Sequence, residues 1–65
     1  MKTPMLFEYA IRNPEGLFYR GSVYGDSRDW TNSRFDMFTY TEMGAYRKLD
    51  LFPAMFADCV VVRLT

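Results

Sequence analysis

The chain of 65 residues contains no histidine. That absence removes the commonest general base, the commonest metal ligand and every Ser-His or Cys-His nucleophile pairing. Its single thiol, Cys59, opens a run of valines, a setting in which cysteine packs as a small hydrophobe. Asp26, Asp29 and Asp36 could offer oxygen to a hard cation. The alternating ligands and terminal bidentate Glu of a calcium loop are missing, however, and solvation of a loop accounts for these residues equally well. Gly16, Gly21, Gly25 and Gly44 are spread singly and cradle no phosphate. The expectation is a protein that is not an enzyme, with no metal and no cofactor.

What remains is the chemistry of contact. Trp30, with Arg28 and Arg34 nearby, could stack on a base or fill a partner's pocket, since Trp and Arg are enriched at binding hot spots. It also reads as the largest plug of a small core, and that reading is the stronger. Tyr9, Tyr19 and Tyr24 with flanking arginines would suit a stacking platform for single-stranded RNA, but the RNP signatures are absent. Eight basic residues balance eight acidic ones, so the positive field behind non-specific nucleic-acid affinity is missing and nucleic acid is a disfavoured partner.

The elements that must position these residues begin with Leu6 to Val23. Phe7, Tyr9 and Ile11 alternate with Glu8 and Arg12 in a first arm. Leu17, Tyr19, Gly21 and Val23 alternate with Phe18, Arg20, Ser22 and Tyr24 in a second. Between them Asn13-Pro14-Glu15-Gly16 spells a type I turn closed by a glycine bulge, so the stretch reads as a β-hairpin. Tyr24 to Asp29 reads as a polar surface loop, and Trp30, Phe35 and Phe38 are expected to pin the following segment to the core. A helix starts at Thr39 or Thr41. Thr39 with Glu42 would form a capping box, whereas Thr41 would place Glu42 at the first helical position. Ala45, Tyr46, Leu49 and Phe52 form its apolar stripe, and Pro53 stops it. Gly44 suggests a close approach of helix to sheet. After an apolar bend or short helical turn at Ala54-Met55-Phe56-Ala57, Cys59 to Leu64 is a β-branched strand whose continuous apolarity suggests a central place.

These elements predict one α+β domain over residues 1–65, a three-stranded antiparallel or mixed ββαβ sheet in order 2-1-3 with one helix packed on one face. A chain this short buries only about 60% of its unfolded surface, and its six Phe, five Tyr and one Trp stand in for disulfides. A lone cysteine suits a reducing compartment. No segment approaches the ~20 apolar residues of a membrane span, so the expected location is cytoplasmic, with no membrane partner.

The hairpin Tyr9-Ala10-Ile11-Arg12-Asn13 and Gly16-Leu17-Phe18-Tyr19-Arg20-Gly21, the following Trp30-Thr31, then Phe38 ahead of Thr41-Glu42-Met43-Gly44-Ala45 and the closing Val60-Val61-Val62-Arg63-Leu64 form a layout that resembles small accessory proteins of bacteriophages and prophages. The resemblance implies a protein that binds and blocks a host protein or defence complex without catalysis, in the manner of anti-CRISPR and anti-restriction inhibitors, inside the host cell. It carries over no functional residue. From the residues themselves, the partner-binding candidates are Arg12, Phe18, Arg20, Tyr24, Asp26, Arg28, Asp29 and Arg34. The alternatives are a single-stranded nucleic-acid-binding regulator using an aromatic sheet face, and a self-associating module. The latter would be a homodimer paired across an exposed strand edge or across Met55-Phe56.

Overall fold

The computed structural model describes residues 7–64. The expected lead-in of residues 1–5, and Leu6 at the start of the hairpin stretch, lie outside them. Strand β1 (Tyr9–Arg12) turns at Asn13 into β2 (Phe18–Tyr19). A 3₁₀ turn (Ser27–Asp29) leads into β3 (Trp30–Thr31), and helix α1 (Glu42–Leu51) precedes β4 (Val60–Arg63). All pairings are antiparallel and the sheet order is β3-β2-β1-β4. The fold is α+β as expected, but the sheet has four strands instead of three. The added strand is Trp30–Thr31, read from sequence as loop, which pairs Phe18 with Thr31 and Tyr19 with Trp30.

The turn forms as its residues dictate. Gly16 N–H donates to the Asn13 carbonyl at 3.0 Å, Gly16 takes φ +86°, and the Asn13 side-chain oxygen accepts from Glu15 N–H and Leu17 N–H. The arms beyond it zip only briefly. Arg12 opposite Phe18 is the paired position, and the second arm ends after Tyr19 because Gly21 adopts φ +85°. The vacated place beside β1 is taken by residues 38–40. Tyr9 and Tyr40 exchange main-chain bonds at 3.0 and 2.7 Å, and Phe38 N–H donates to the Tyr19 carbonyl at 2.9 Å. Gly21 lies against this insertion so closely that a β-carbon there would sit 2.5 Å from the Phe38 ring.

Alternation along the strands puts Ile11 and Tyr19 on the face that α1 and residues 52–59 cover. Ile11, Tyr19, Tyr40, Ala45 and Phe56 form the buried core cluster, and Ala10 is buried as well. Tyr19 meets Phe56 edge to face at 5.0 Å and Trp30 at 5.5 Å, the T-shaped geometry favoured by ring quadrupoles. Phe56 is thus a core residue and not half of a two-fold contact. Trp30 is half-buried against the core. Phe35 and Phe38 depart from expectation: Phe35 is 99% exposed at the tip of a turn closed by Asp36 N–H on the Ser33 carbonyl, and Phe38 is about half exposed.

Helix α1 is capped by Thr41, whose hydroxyl accepts Gly44 N–H at 3.0 Å, so the Thr39 alternative is not used. The need for glycine at position 44 follows from that cap, since a β-carbon there would lie 2.9 Å from the Thr41 hydroxyl oxygen. Ala45 is buried and Leu49 half-buried, whereas Tyr46 and Phe52 of the expected stripe stay largely exposed. Val60–Arg63 is an edge strand and not a central one.

Burial pushes the phenol of Tyr40 up to about 12 from the ordinary 10.0, with Tyr19 beside it adding to the effect, and burial followed by the charge of Asp29 raises Tyr19 as well. A raised phenol pKa means that the fold favours the neutral ring. Its stability contribution is therefore complete below pH 10 and is lost as pH climbs from there towards 12. In an alkaline titration followed by tyrosinate absorbance and circular dichroism, the last tyrosines should ionise together with unfolding. Full ionisation of all five near pH 10 with the fold intact would contradict the burial of Tyr40.

Candidate interaction surface

The loop between β2 and β3 is built around one buried acid. Asp29, only 2% exposed, accepts the N–H of Tyr24 on Oδ1 at 2.7 Å and the N–H of Gly25 on Oδ2 at 2.8 Å, and its carbonyl accepts Arg20 N–H at 2.8 Å. A buried carboxylate persists only where hydrogen bonds satisfy it, and here the partners are main-chain groups of the loop it closes. Asp29 thus fixes the path of residues 20–25 from beneath. Asp26 caps the 3₁₀ turn by accepting Arg28 N–H at 2.9 Å, and Asp29 N–H donates to the Asp26 carbonyl at 3.1 Å.

On the solvent side of this scaffold three side chains are held together. The Arg28 guanidinium donates to Asp26 through Nε and through a terminal nitrogen at 2.8 Å, and its carbon lies 4.2 Å from the centre of the Tyr24 ring. Arg20 reaches in to donate to the Arg28 carbonyl at 3.3 Å. The hydrogen bonds from the Arg28 side chain and backbone hold the Asp26 carboxyl below the usual carboxylate range, and the same pair holds the Arg28 guanidinium above its own ordinary value. Arg28 and Asp26 are both largely exposed. An Arg stacked on Tyr and locked by a fork-like bond to a carboxylate is a rigid polar-aromatic knob of the kind enriched at binding hot spots.

Of the eight candidates, the structure brings Arg20, Tyr24, Asp26 and Arg28 together and sets Asp29 under them as their support, turned away from solvent. Arg12 and Phe18 form a second group as register partners on the open face of the sheet. Arg20 and Tyr24 do not join them there, because the strand ends before Arg20. Arg34 stands apart, exposed in the turn with Phe35. Tyr9 and Tyr19 point into the core, so the aromatic platform needed to stack single-stranded RNA is not assembled from them. Asp26, Asp29 and Asp36 do not converge: Asp29 faces inward, Asp26 is engaged by Arg28 and Asp36 lies in the following turn.

Beside the knob a shallow open depression of about 700 Å³ runs between the hairpin turn and the bend after α1. Glu15, Asp26, Trp30 and Met55 are among its walls. Sequence reasoning missed this juxtaposition, since Glu15 and Met55 are distant in the chain and meet only through the fold. The burial of Cys59 raises its thiol above the ordinary value, with Asp58 adding to the effect, which matches a packing role. Among the described residues, no helix is long and apolar enough to cross a membrane. Compared with known protein families, curated proteins and solved structures, the chain matches none.

Proposed function

We propose that the chain is a non-catalytic binding protein that grips a host protein or defence complex stoichiometrically, in the manner implied by its resemblance to phage accessory proteins, with Arg20, Tyr24, Asp26 and Arg28 as the contact surface. One observation carries this reading. The Arg28-Tyr24-Asp26 knob is exposed, yet the loop bearing it is pinned by the buried Asp29 carboxylate. Such preorganisation reduces the ordering that binding would otherwise require, which is where much of the affinity of a small rigid surface originates. The neutral chain and the inward-facing Tyr9 and Tyr19 weigh against the nucleic-acid alternative.

The reading is tested by capturing partners from bacterial lysate with the wild-type chain and with Tyr24→Ala and Arg28→Ala. Each substitution should weaken a specific partner at least about tenfold, the effect of losing a hot-spot side chain. Arg47→Ala, on the far surface of α1, should not. A partner retained equally by all three variants would place the contact elsewhere, and the absence of any saturable partner would remove the proposal.

A further inference from the structure

The edge strand β4 has unsatisfied main-chain groups whose direction follows from the register. Leu64 N–H donates to the Glu8 carbonyl at 2.7 Å, next to the Tyr9–Arg63 position. In an antiparallel ladder opposite residues alternate between bonded and non-bonded pairs, so Val62 and Val60 also turn their N–H and C=O towards β1. Val61 and Arg63 therefore turn theirs outward. The opposite side of β1 agrees: Tyr9, the partner of Arg63, spends both main-chain groups on Tyr40. Among the described residues nothing pairs with this outer row.

Exposed edges are usually blunted by brevity, by charges or proline on the edge, or by a bulge. Val60-Val61-Val62-Arg63 is short but has no proline or lysine, its one charge, Arg63, lies 3.7 Å from Glu8 of its own chain, and its backbone is regular, the nearest positive φ being at Asp58 outside the strand. We infer that β4 is a self-pairing edge: two copies of this chain join antiparallel along it to form one continuous eight-stranded sheet.

A second copy fits because the edge complements itself. Centred on Val62, a two-fold axis sets Val61 of one copy opposite Arg63 of the other, so every outward N–H and C=O of these residues finds a partner. The same register lays Val60, Val62 and Leu64 beside their counterparts on the open face. The axis stands perpendicular to the sheet, which leaves both helices on one side. Four strand residues alone fall short of the ~1,200 Å² buried in a stable interface. Helix α1 packs over β1 and β4, the half of the sheet nearest the seam, so an association resting mainly on the strand pairing is weak and concentration-dependent. Zero net charge puts no long-range repulsion in the way. The Arg20–Arg28 loop lies towards the opposite edge of the sheet, so this inference does not depend on the proposed function. A dimer would present that loop twice, multiplying its grip on a repeated target.

The test is mass by light scattering across a concentration series of the full chain up to about 1 mM, coupled to residue-resolved amide exchange. The expected result is a monomer–dimer equilibrium in which the amides of Val61 and Arg63 become protected as concentration rises, while Val62 and Leu64 are protected throughout. Val60→Lys, at a position already 46% exposed, should weaken association at least about tenfold without unfolding the monomer. A strict monomer over the whole range overturns the inference, and so does a dimer whose Val61 and Arg63 amides exchange freely. The amide readout uses the unaltered chain, so it decides the matter even if the lysine variant fails to fold. Loss of lysate partners with an intact dimer would sink only the proposed function.

Discussion

Asp29→Ala is expected to destabilise the chain by about 3 kcal/mol, since hydrogen bonds to a charged group contribute about 1.5–3 kcal/mol each and two of them would be lost. Their donors are the N–H groups of Tyr24 and Gly25. A domain of 65 residues has a total stability of only about 3–10 kcal/mol, so this single truncation removes a third or more of it. The observable is the midpoint of a urea unfolding curve, with unchanged slope showing that the denatured state is not the cause. Asp29→Asn keeps the shape but turns an amide donor towards one of the two N–H groups, and should recover only part of the loss. Arg28→Ala, by contrast, removes an exposed pair and should barely move the midpoint, because solvent and salt already screen it. If Asp29→Ala and Arg28→Ala shift the midpoint equally little, the buried acid does not organise the loop.

Gly21→Ala is expected to cost about 3 kcal/mol, for two separable reasons. A non-glycine residue held at positive φ is strained by about 1–3 kcal/mol, and Gly21 sits at φ +85°. The added methyl would also lie 2.5–3.0 Å from three atoms of Phe38. Combining it with Phe38→Ala removes the two ring contacts, leaving only the Phe38 β-carbon at 3.0 Å, and does not relieve the backbone strain. The double-mutant cycle should therefore show a favourable coupling of about 1 kcal/mol or more. Strict additivity of the two substitutions would mean that the Phe38 ring does not constrain position 21.

The local signals in the sequence were legible because each has a short-range cause. Asn13 to Gly16 form the expected turn, and Thr41, Pro53 and the valine run delimit the helix and last strand close to where their chemistry places them. What was not legible depended on contacts between distant residues. The alternating pattern from Leu17 to Val23 suggests a long second arm, but period-two alternation is equally available to a chain that leaves the sheet. It is Gly21, with Phe38 and Tyr40 arriving from far along the sequence, that ends it. Trp30–Thr31 is too short for periodicity to mark as a strand, and its pairing follows from the Asp29-centred turn that delivers it. The exposed members of the candidate surface, Arg20, Tyr24, Asp26 and Arg28, were named from residue type alone. That Asp29 lies beneath them, and that Arg12, Phe18 and Arg34 stand elsewhere, required the register.

The exchange of main-chain bonds between Tyr9 and Tyr40 bears on how the molecule assembles. Strand β1 is flanked on one side by a segment some thirty residues away and on the other by a strand at the far end of the chain, and its one neighbouring contact is the brief Arg12 to Phe18 pairing. Nucleation at the turn is therefore insufficient to propagate a sheet, because most of the reward arrives only when the last strand returns. Contact order, more than chain length, governs the speed of such searches. For its size this chain should refold slowly and in a single cooperative phase.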